Sequence, residues 1–441
     1  MNCDRNLRGN VFDAGHFGKV ILETRLVMLS DILTIRQSGW GPHCRETPGG
    51  MQLSLDRALR AETILPEHAK DALLIGRVWS DAAGGPCPVL ISGARVLDLT
   101  PLAATMSALL EIEGLVGLLR DTRNFRDLGP LDAFLSGENG SLLAPTDLQA
   151  IKAAGVTFAD SMLERVIEEQ AKGDATRALD IRKRLAPVLG DSLRGVVAGS
   201  EQAAHVKALL QDMNLWSQYL EVGIGPDAEI FTKAQPMSAV GCGAEVGIHP
   251  MSEWNNPEPE VVLVLRSTGE IVGATLGNDV NLRDIEGRSA LLLGKAKDNN
   301  ASCSIGPFIR LFDNGFSLND LGRVRVSLLV EGKDGFVMTG ESPMEAISRK
   351  PADLARQLLN RNHQYPDGAV LFLGTMFAPV KDRRGAGQGF THELGDRVEI
   401  ATPKLGRLVN WVERSDACPE WTFGTTALIR NLAARGLLDK V

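Results

Sequence analysis

The sequence predicts a β-rich α+β fold on three observations. Short apolar runs bounded by Gly, Pro, Asn or Asp recur through most of the 441 residues and read as strands. These runs do not alternate regularly with helical patterns, which argues against a doubly wound sheet or a (β/α) barrel. Helical spacing is confined to a few stretches, chiefly residues 106–119, 161–185 and 425–436.

Taken in order, residues 1–50 mix Cys, Gly, His and Arg without a clean period. They lack the apolar core and small-residue cleavage site of a signal peptide. A disordered tail, or sequence upstream of the real start, is expected there. Residues 51–145 are expected as a small β-rich N-terminal domain, with strands at 73–79, 87–91 and 95–99 and a helix at 106–119. A polar stretch at 121–141, broken by Gly and Pro, places a linker near Asn139-Gly140-Ser141. The catalytic domain, 146–441, opens on a buried strand at 151–158. A charged helix follows at 161–169, Gly173 interrupts it, and a second helical run from 175 stops at 185, before Pro187. Short strands make up most of the remainder, which closes with an amphipathic run at 425–436.

Composition limits the function classes. A net charge of −8 argues against a nucleic-acid partner. No apolar run reaches bilayer-spanning length, so no membrane partner is expected. The six cysteines are scattered without Cys-x-x-Cys spacing, the usage of a reducing compartment such as the cytoplasm, and the composition agrees with a soluble enzyme.

The chemistry concentrates at Pro257-Glu258-Pro259-Glu260 and Gly277-Asn278-Asp279. Apolar runs at 261–265 and 271–276 read as two strands joined by the turn Ser267-Thr268-Gly269-Glu270. Glu258 and Glu260 lie two apart and face the same way. A hairpin centred between Thr268 and Gly269 sets Asp279 opposite Glu258. Three carboxylates with no cation nearby in sequence are costly unless protons or a metal neutralise them. Hard, all-oxygen ligation suits Mg²⁺, with Mn²⁺ or Ca²⁺ as alternatives.

These motifs, with Val280-Asn281-Leu282-Arg283-Asp284, Lys297, Ile305-Gly306-Pro307, Gly374-Thr375 and Gly395-Asp396-Arg397-Val398-Glu399, resemble the core of the fumarylacetoacetate hydrolase superfamily. The resemblance covers roughly residues 146–436. It implies that family's mixed β-roll, a divalent cation on Glu258, Glu260 and Asp279, and a substrate-facing Lys297 that stabilises enolate charge. It also implies substrate contacts by Thr375, Ser161 and Arg288, and a homodimer or homotetramer. Arg283 and Asp284 are expected to pair with each other and order the loop after Asp279.

One departure narrows the chemistry. Hydrolytic and decarboxylating branches show Gly-x-Asn-Tyr-x-x-His-x-x-Glu where this chain has Gly155-Val156-Thr157-Phe158-Ala159-Asp160-Ser161-Met162-Leu163-Glu164. Serine cannot replace the water-activating histidine. The resemblance then favours dehydration of a 2-keto-3-deoxy pentonate (xylonate or arabinonate) to 2,5-dioxopentanoate in pentose catabolism, with Glu164 as the base. The alternative is hydrolysis of an acylpyruvate or a 2,4-diketo-3-deoxy acid. That reaction needs another water activator, for which Glu221 and His249 are candidates.

Overall fold

The computed structural model describes residues 57–193, 195–377 and 379–441, so the expected tail at 1–50 lies outside the described residues. The strands in chain order are β1 (Leu74–Ser80), β2 (Gly85–Ser92), β3 (Arg95–Asp98), β4 (Arg126–Pro130), β5 (Gly140–Leu143), β6 (Ala150–Ala154), β7 (Ile230–Ala234), β8 (Glu245–Ile248) and β9 (Asn255–Asn256). They continue with β10 (Pro259–Leu265), β11 (Ile271–Asp279), β12 (Asn281–Leu282), β13 (Cys303–Leu311), β14 (Arg325–Glu331), β15 (Val337–Pro343), β16 (Ala369–Phe372), β17 (Arg397–Thr402) and β18 (Gly406–Arg414). Helices α1 (Ala61–Ile64), α2 (Met106–Glu111), α3 (Leu115–Leu119) and α4 (Leu131–Leu135) accompany the first five strands. Helices α5 (Ala159–Ala171), α6 (Ala175–Leu193), α7 (Glu201–Asp212) and α8 (Gln218–Ile224) fill the long insertion between β6 and β7. Helices α9 (Arg283–Glu286) and α10 (Leu293–Lys297) follow β12.

Among the described residues, one eleven-stranded sheet runs β4-β3-β2-β1-β13-β11-β10-β16-β6-β7, with β5 also on β1. It is antiparallel except where β16 meets β6. A five-stranded sheet runs β15-β14-β17-β18-β8, and β9 pairs β12. This mixed, strand-rich architecture is the expected β-rich class.

Strand β10 lies at the heart of the large sheet. All seven of its residues are buried, which is why Val261-Val262-Leu263-Val264-Leu265 reads as an unbroken apolar run instead of alternating. Val261, Leu263 and Leu265 join one apolar cluster, while Val262 and Val264 join a second on the other face. Burying one such side chain contributes about 1.5–3 kcal/mol. The strand that leads out of Glu258 and Glu260 is therefore anchored from both sides.

Several local expectations are corrected. The stretch at Asn139-Gly140-Ser141 is no linker: Gly140 pairs with Ser80 and Ser141 with Trp79, inside β5. The helix expected at 106–119 divides at Gly114, whose φ of 69° leaves the helical region. The strand expected to reach Phe158 ends at Ala154, before Gly155 and a left-handed Val156. Helix α6 continues past Pro187 to Leu193, although an interior proline removes a backbone donor and disfavours the helix. Helices α7 and α8 fell in a region expected to be strands. Each is announced by a serine N-cap, Ser200 accepting from the Ala203 N–H and Ser217 from that of Tyr219.

Candidate active site

The hairpin β10–β11 pairs Pro259 with Asn278 and Glu260 with Gly277, and the Asp279 N–H donates to the Glu258 carbonyl at 3.1 Å. This is the register expected from the turn. It gathers Glu258, Glu260 and Asp279 so that one oxygen from each lies within 4.8 Å of the others, with all three buried. The Glu260 carboxylate is aimed by backbone: the Gly374 N–H donates to its Oε2 at 2.7 Å. Gly374 adopts φ 99°, and a Cβ there would lie 2.0 Å from Thr157 Oγ1, so only glycine fits. The Thr375 hydroxyl approaches Glu260 Oε1 at 3.4 Å.

Three cations serve the cluster. Lys297, at the end of α10, donates to Glu258 Oε2 and, at 3.1 Å, to Asp279 Oδ2. Lys233, fully buried on β7, sits 3.0 Å from Asp279 Oδ1. Arg165, on α5, donates to Glu258 Oε1 and Glu168 and lies 3.1 Å from Glu286. Burial would raise the Glu258 carboxyl, but Lys297 and Arg165 outweigh it and bring it down to about 2. Glu260 goes the other way, held well above its ordinary value by burial and then by the Asp279 and Glu258 charges. It accepts hydrogen bonds from a backbone amide and a hydroxyl. The donor set fits a hard divalent ion: anionic, all-oxygen and within reach of one centre.

The pocket beside this cluster is lined by all three carboxylates and by Ser161, Lys297 and Thr375. The Ser161 hydroxyl donates to the Phe158 carbonyl at 2.9 Å. Arg288 is exposed and does not line the pocket. The structure also does not bring Glu164 into it. The Arg182 Nε donates to Glu164 Oε1 at 2.7 Å, the Arg283 Nη2 donates to Oε2 at 2.9 Å, and these guanidiniums hold the carboxyl below its ordinary value against the effect of burial. Arg283 and Asp284 do not pair. Arg283 reaches back to Glu164 and Glu168, while Asp284 accepts from the Ser252 hydroxyl and the Glu253 amide. Glu221 bonds Lys207 and Trp216, and His249 accepts from the Met251 amide, both outside the pocket.

Four pocket or cluster residues escaped the sequence reading: Arg165, Glu229, Glu286 and Lys233. Burial raises Glu229 above the usual carboxylate range and takes Glu286 up to about 7. The Glu229 carboxylate presses on Gly155, where an added Cβ would sit 1.8 Å from its Oε2. Lys233 and Phe231 alternate on β7 and both face this site, a period-two signal that was present in the sequence.

Residues 196–413 match the model of the fumarylacetoacetate (FAA) hydrolase C-terminal family. A probable 2-keto-3-deoxyxylonate dehydratase of Haloferax volcanii is 34% identical over 213 residues, 48% of this chain and 68% of that protein. A 2-dehydro-3-deoxy-D-arabinonate dehydratase of Saccharolobus solfataricus is 34% identical over 192 residues, 42% of this chain and 59% of that protein. A solved 2-keto-3-deoxy-D-arabinonate dehydratase, complexed with magnesium and 2,5-dioxopentanoate, shares the fold at a TM-score of 0.51 and 21% identity, covering 78% of this chain and 99% of that one. The matched family region, these relatives and the hairpin-borne carboxylates agree: this chain belongs to the fumarylacetoacetate hydrolase family.

Proposed function

We propose that the chain is a cation-dependent hydro-lyase that dehydrates 2-keto-3-deoxy-D-xylonate or 2-keto-3-deoxy-D-arabinonate to 2,5-dioxopentanoate (2-oxoglutarate semialdehyde) in pentose catabolism. The observation that carries this reading is a pocket with a carboxylate triad and Lys297 but, among the described residues, no histidine in its lining, Ser161 standing where the hydrolytic pattern has one. The identity to proteins named as dehydratases supports the same reaction class.

Glu258, Glu260 and Asp279 would hold the cation, Mg²⁺ on this reading, with Mn²⁺ or Ca²⁺ as substitutes. When bound, it would polarise the C2 ketone and acidify the C3 hydrogens. Lys297 places its ammonium beside Glu258 and Asp279, where it stabilises negative charge developing on the C2 oxygen. Thr375 donates its hydroxyl to the C1 carboxylate, and Ser161 contacts the substrate from α5. Glu229 takes the C3 proton. A buried carboxyl with a raised pKa then suits the return step: it delivers that proton to the C4 hydroxyl as the C4–O bond breaks and water departs. Loss of a C5 proton and reprotonation of the carbon chain give the aldehyde. Residues 146–441 supply every side chain used here, and the preceding strands buttress the sheet through β1 and β13. The working form is a cytoplasmic homodimer or homotetramer; no described helix is long and apolar enough to cross a membrane.

Two results are expected. With Mg²⁺ and a panel of 2-keto-3-deoxy pentonates and hexonates, mass spectrometry should find one organic product lighter than its substrate by one water. Two carbon fragments would instead establish hydrolysis. Cation affinity should also depend on pH with a defined sign. A cation must displace the proton from Glu260, so Mn²⁺ affinity should rise with pH above the ordinary carboxylate value and level off past the folded-state one. By the same linkage, a raised carboxyl favours the proton-bound folded state, so cation-free stability should decline over that rise. Electron paramagnetic resonance titrations with Mn²⁺ from about pH 5 to about pH 8 check this, and a flat affinity contradicts it.

A further inference from the structure

A line of alternating charges runs from the outer face of α6 to the ligand cluster. Arg182 on α6, 24% exposed, grips both oxygens of Glu164 on α5. Glu164 shares its Oε2 with Arg283 at 2.9 Å, and Arg283 donates its Nε to Glu168 Oε1 at 2.6 Å. Glu168 accepts from Arg165 Nη1 at 2.6 Å on its other oxygen, and Arg165 Nη2 ends on Glu258 Oε1. From Arg283 inward, every side chain is 10% exposed or less. Each inner member is shared between neighbours of opposite sign, two for Glu164, Arg283 and Glu168 and three for Arg165, which also lies 3.1 Å from Glu286. If one end is lost, the next group has an unmet buried charge, which is costly, and it must draw on the partner beyond it.

We propose that Arg182 and Glu164 are positioning residues for Glu258, acting through Arg283, Glu168 and Arg165, so that the seating of α6 on α5 sets how the site holds its cation. This rests on the reading of Glu258, Glu260 and Asp279 as the cation's ligands. When Arg182 is removed, Glu164 claims more of Arg283, Glu168 is left with Arg165, and Arg165 turns toward Glu168 and Glu286 and away from Glu258. The Glu258 carboxylate then keeps Lys297 as its remaining cation and loses its fixed orientation. A partner bonded directly to a metal ligand, as Arg165 is to Glu258, commonly changes affinity by about 10- to 100-fold, and Arg182, acting through it, falls at the low end of that range.

The test uses the full chain and Mn²⁺ as the probe. Arg182→Met and Glu164→Gln should each weaken Mn²⁺ binding about tenfold. The double variant should be no weaker than either alone, because both interrupt one line. Arg182→Lys keeps the charge and should fall between wild type and Arg182→Met. Saturating Mn²⁺ should restore most of kcat in all of them, which a residue acting in proton transfer would not allow. Arg397→Met, which breaks the Arg397 pairs with Glu331 and Glu399 in the five-stranded sheet, is the control for generic destabilisation and should leave Mn²⁺ affinity unchanged. Folded Arg182→Met and Glu164→Gln proteins that bind Mn²⁺ like wild type overturn the proposal and leave the ligand assignment intact. A wild-type chain that binds no Mn²⁺ overturns both.

Discussion

Glu260→Ala should leave a folded protein that has lost its cation and its activity together. Glu260 is the member of the carboxylate triad whose carboxyl is raised by burial and by its two anionic neighbours, and its hydrogen bonds come from Gly374 and Thr375. Removing it lowers the mutual repulsion of the cluster, so cation-free stability should hold or rise. Glu258 and Asp279 remain, already engaged by Lys297. Two engaged carboxylates make a poor site for a divalent ion. Stabilisation of developing charge by a metal is worth several kcal/mol, so a loss on the order of 1,000-fold in kcat/KM is expected. The same loss should follow chelation of the wild-type protein with EDTA, and added Mg²⁺ or Mn²⁺ should reverse it there but not in the variant. Full activity in a metal-free preparation would refute the mechanism.

Glu229→Gln should separate proton transfer from cation binding. Glu229 lines the pocket against Gly155, and nothing in its placement makes it a ligand. The amide keeps the shape but removes the base, so Mn²⁺ affinity should stay near wild type. The expected fall in kcat is on the order of 100- to 10,000-fold, with hydrogen exchange at C3 suppressed in deuterated solvent. Saturating cation should not rescue it, in contrast to Glu164→Gln. Undiminished C3 exchange would move the base elsewhere, and Glu286, raised to about 7, would be the next residue to replace.

The two carboxylates on helix α5 show what the sequence could and could not disclose. The ligand hairpin was legible because strand alternation and a four-residue turn fix its register arithmetically, and Glu258, Glu260 and Asp279 fell into place. Lys297 and Thr375 were reachable only through motif resemblance, since their contacts to Glu258 and Glu260 span 39 and 115 residues. Helix α5 misled because Ser161, Glu164, Arg165 and Glu168 repeat at helical spacing as a polar stripe. A charged stripe ordinarily faces water. Here α5 is buried on two sides, with Met162 and Val166 against the neighbouring helices and the polar stripe against α9 and the cluster. Exposure of a charged face is a tertiary property, so the sequence offered no means of telling Arg165 from a surface arginine or of seeing that Glu164 was already taken. Glu229 was missed for a related reason: it lies at the end of a long helical insertion, and its neighbour Gly155 is 74 residues away.

The burial of β10 in two apolar clusters has a consequence for how such a protein diversifies. The carboxylate-bearing strand is clamped by apolar contacts separate from those of helices α5–α8, which keep an apolar cluster of their own. Substitutions on the apolar faces of these helices can therefore accumulate without displacing the strand, whereas the polar face of α5, whose Arg165 reaches Glu258, is tied to the carboxylates. The strand behaves as an anvil, and only the apolar side of the helices is an interchangeable die. A change in the proton-handling side chains of the pocket therefore leaves the packing that positions Glu260 untouched.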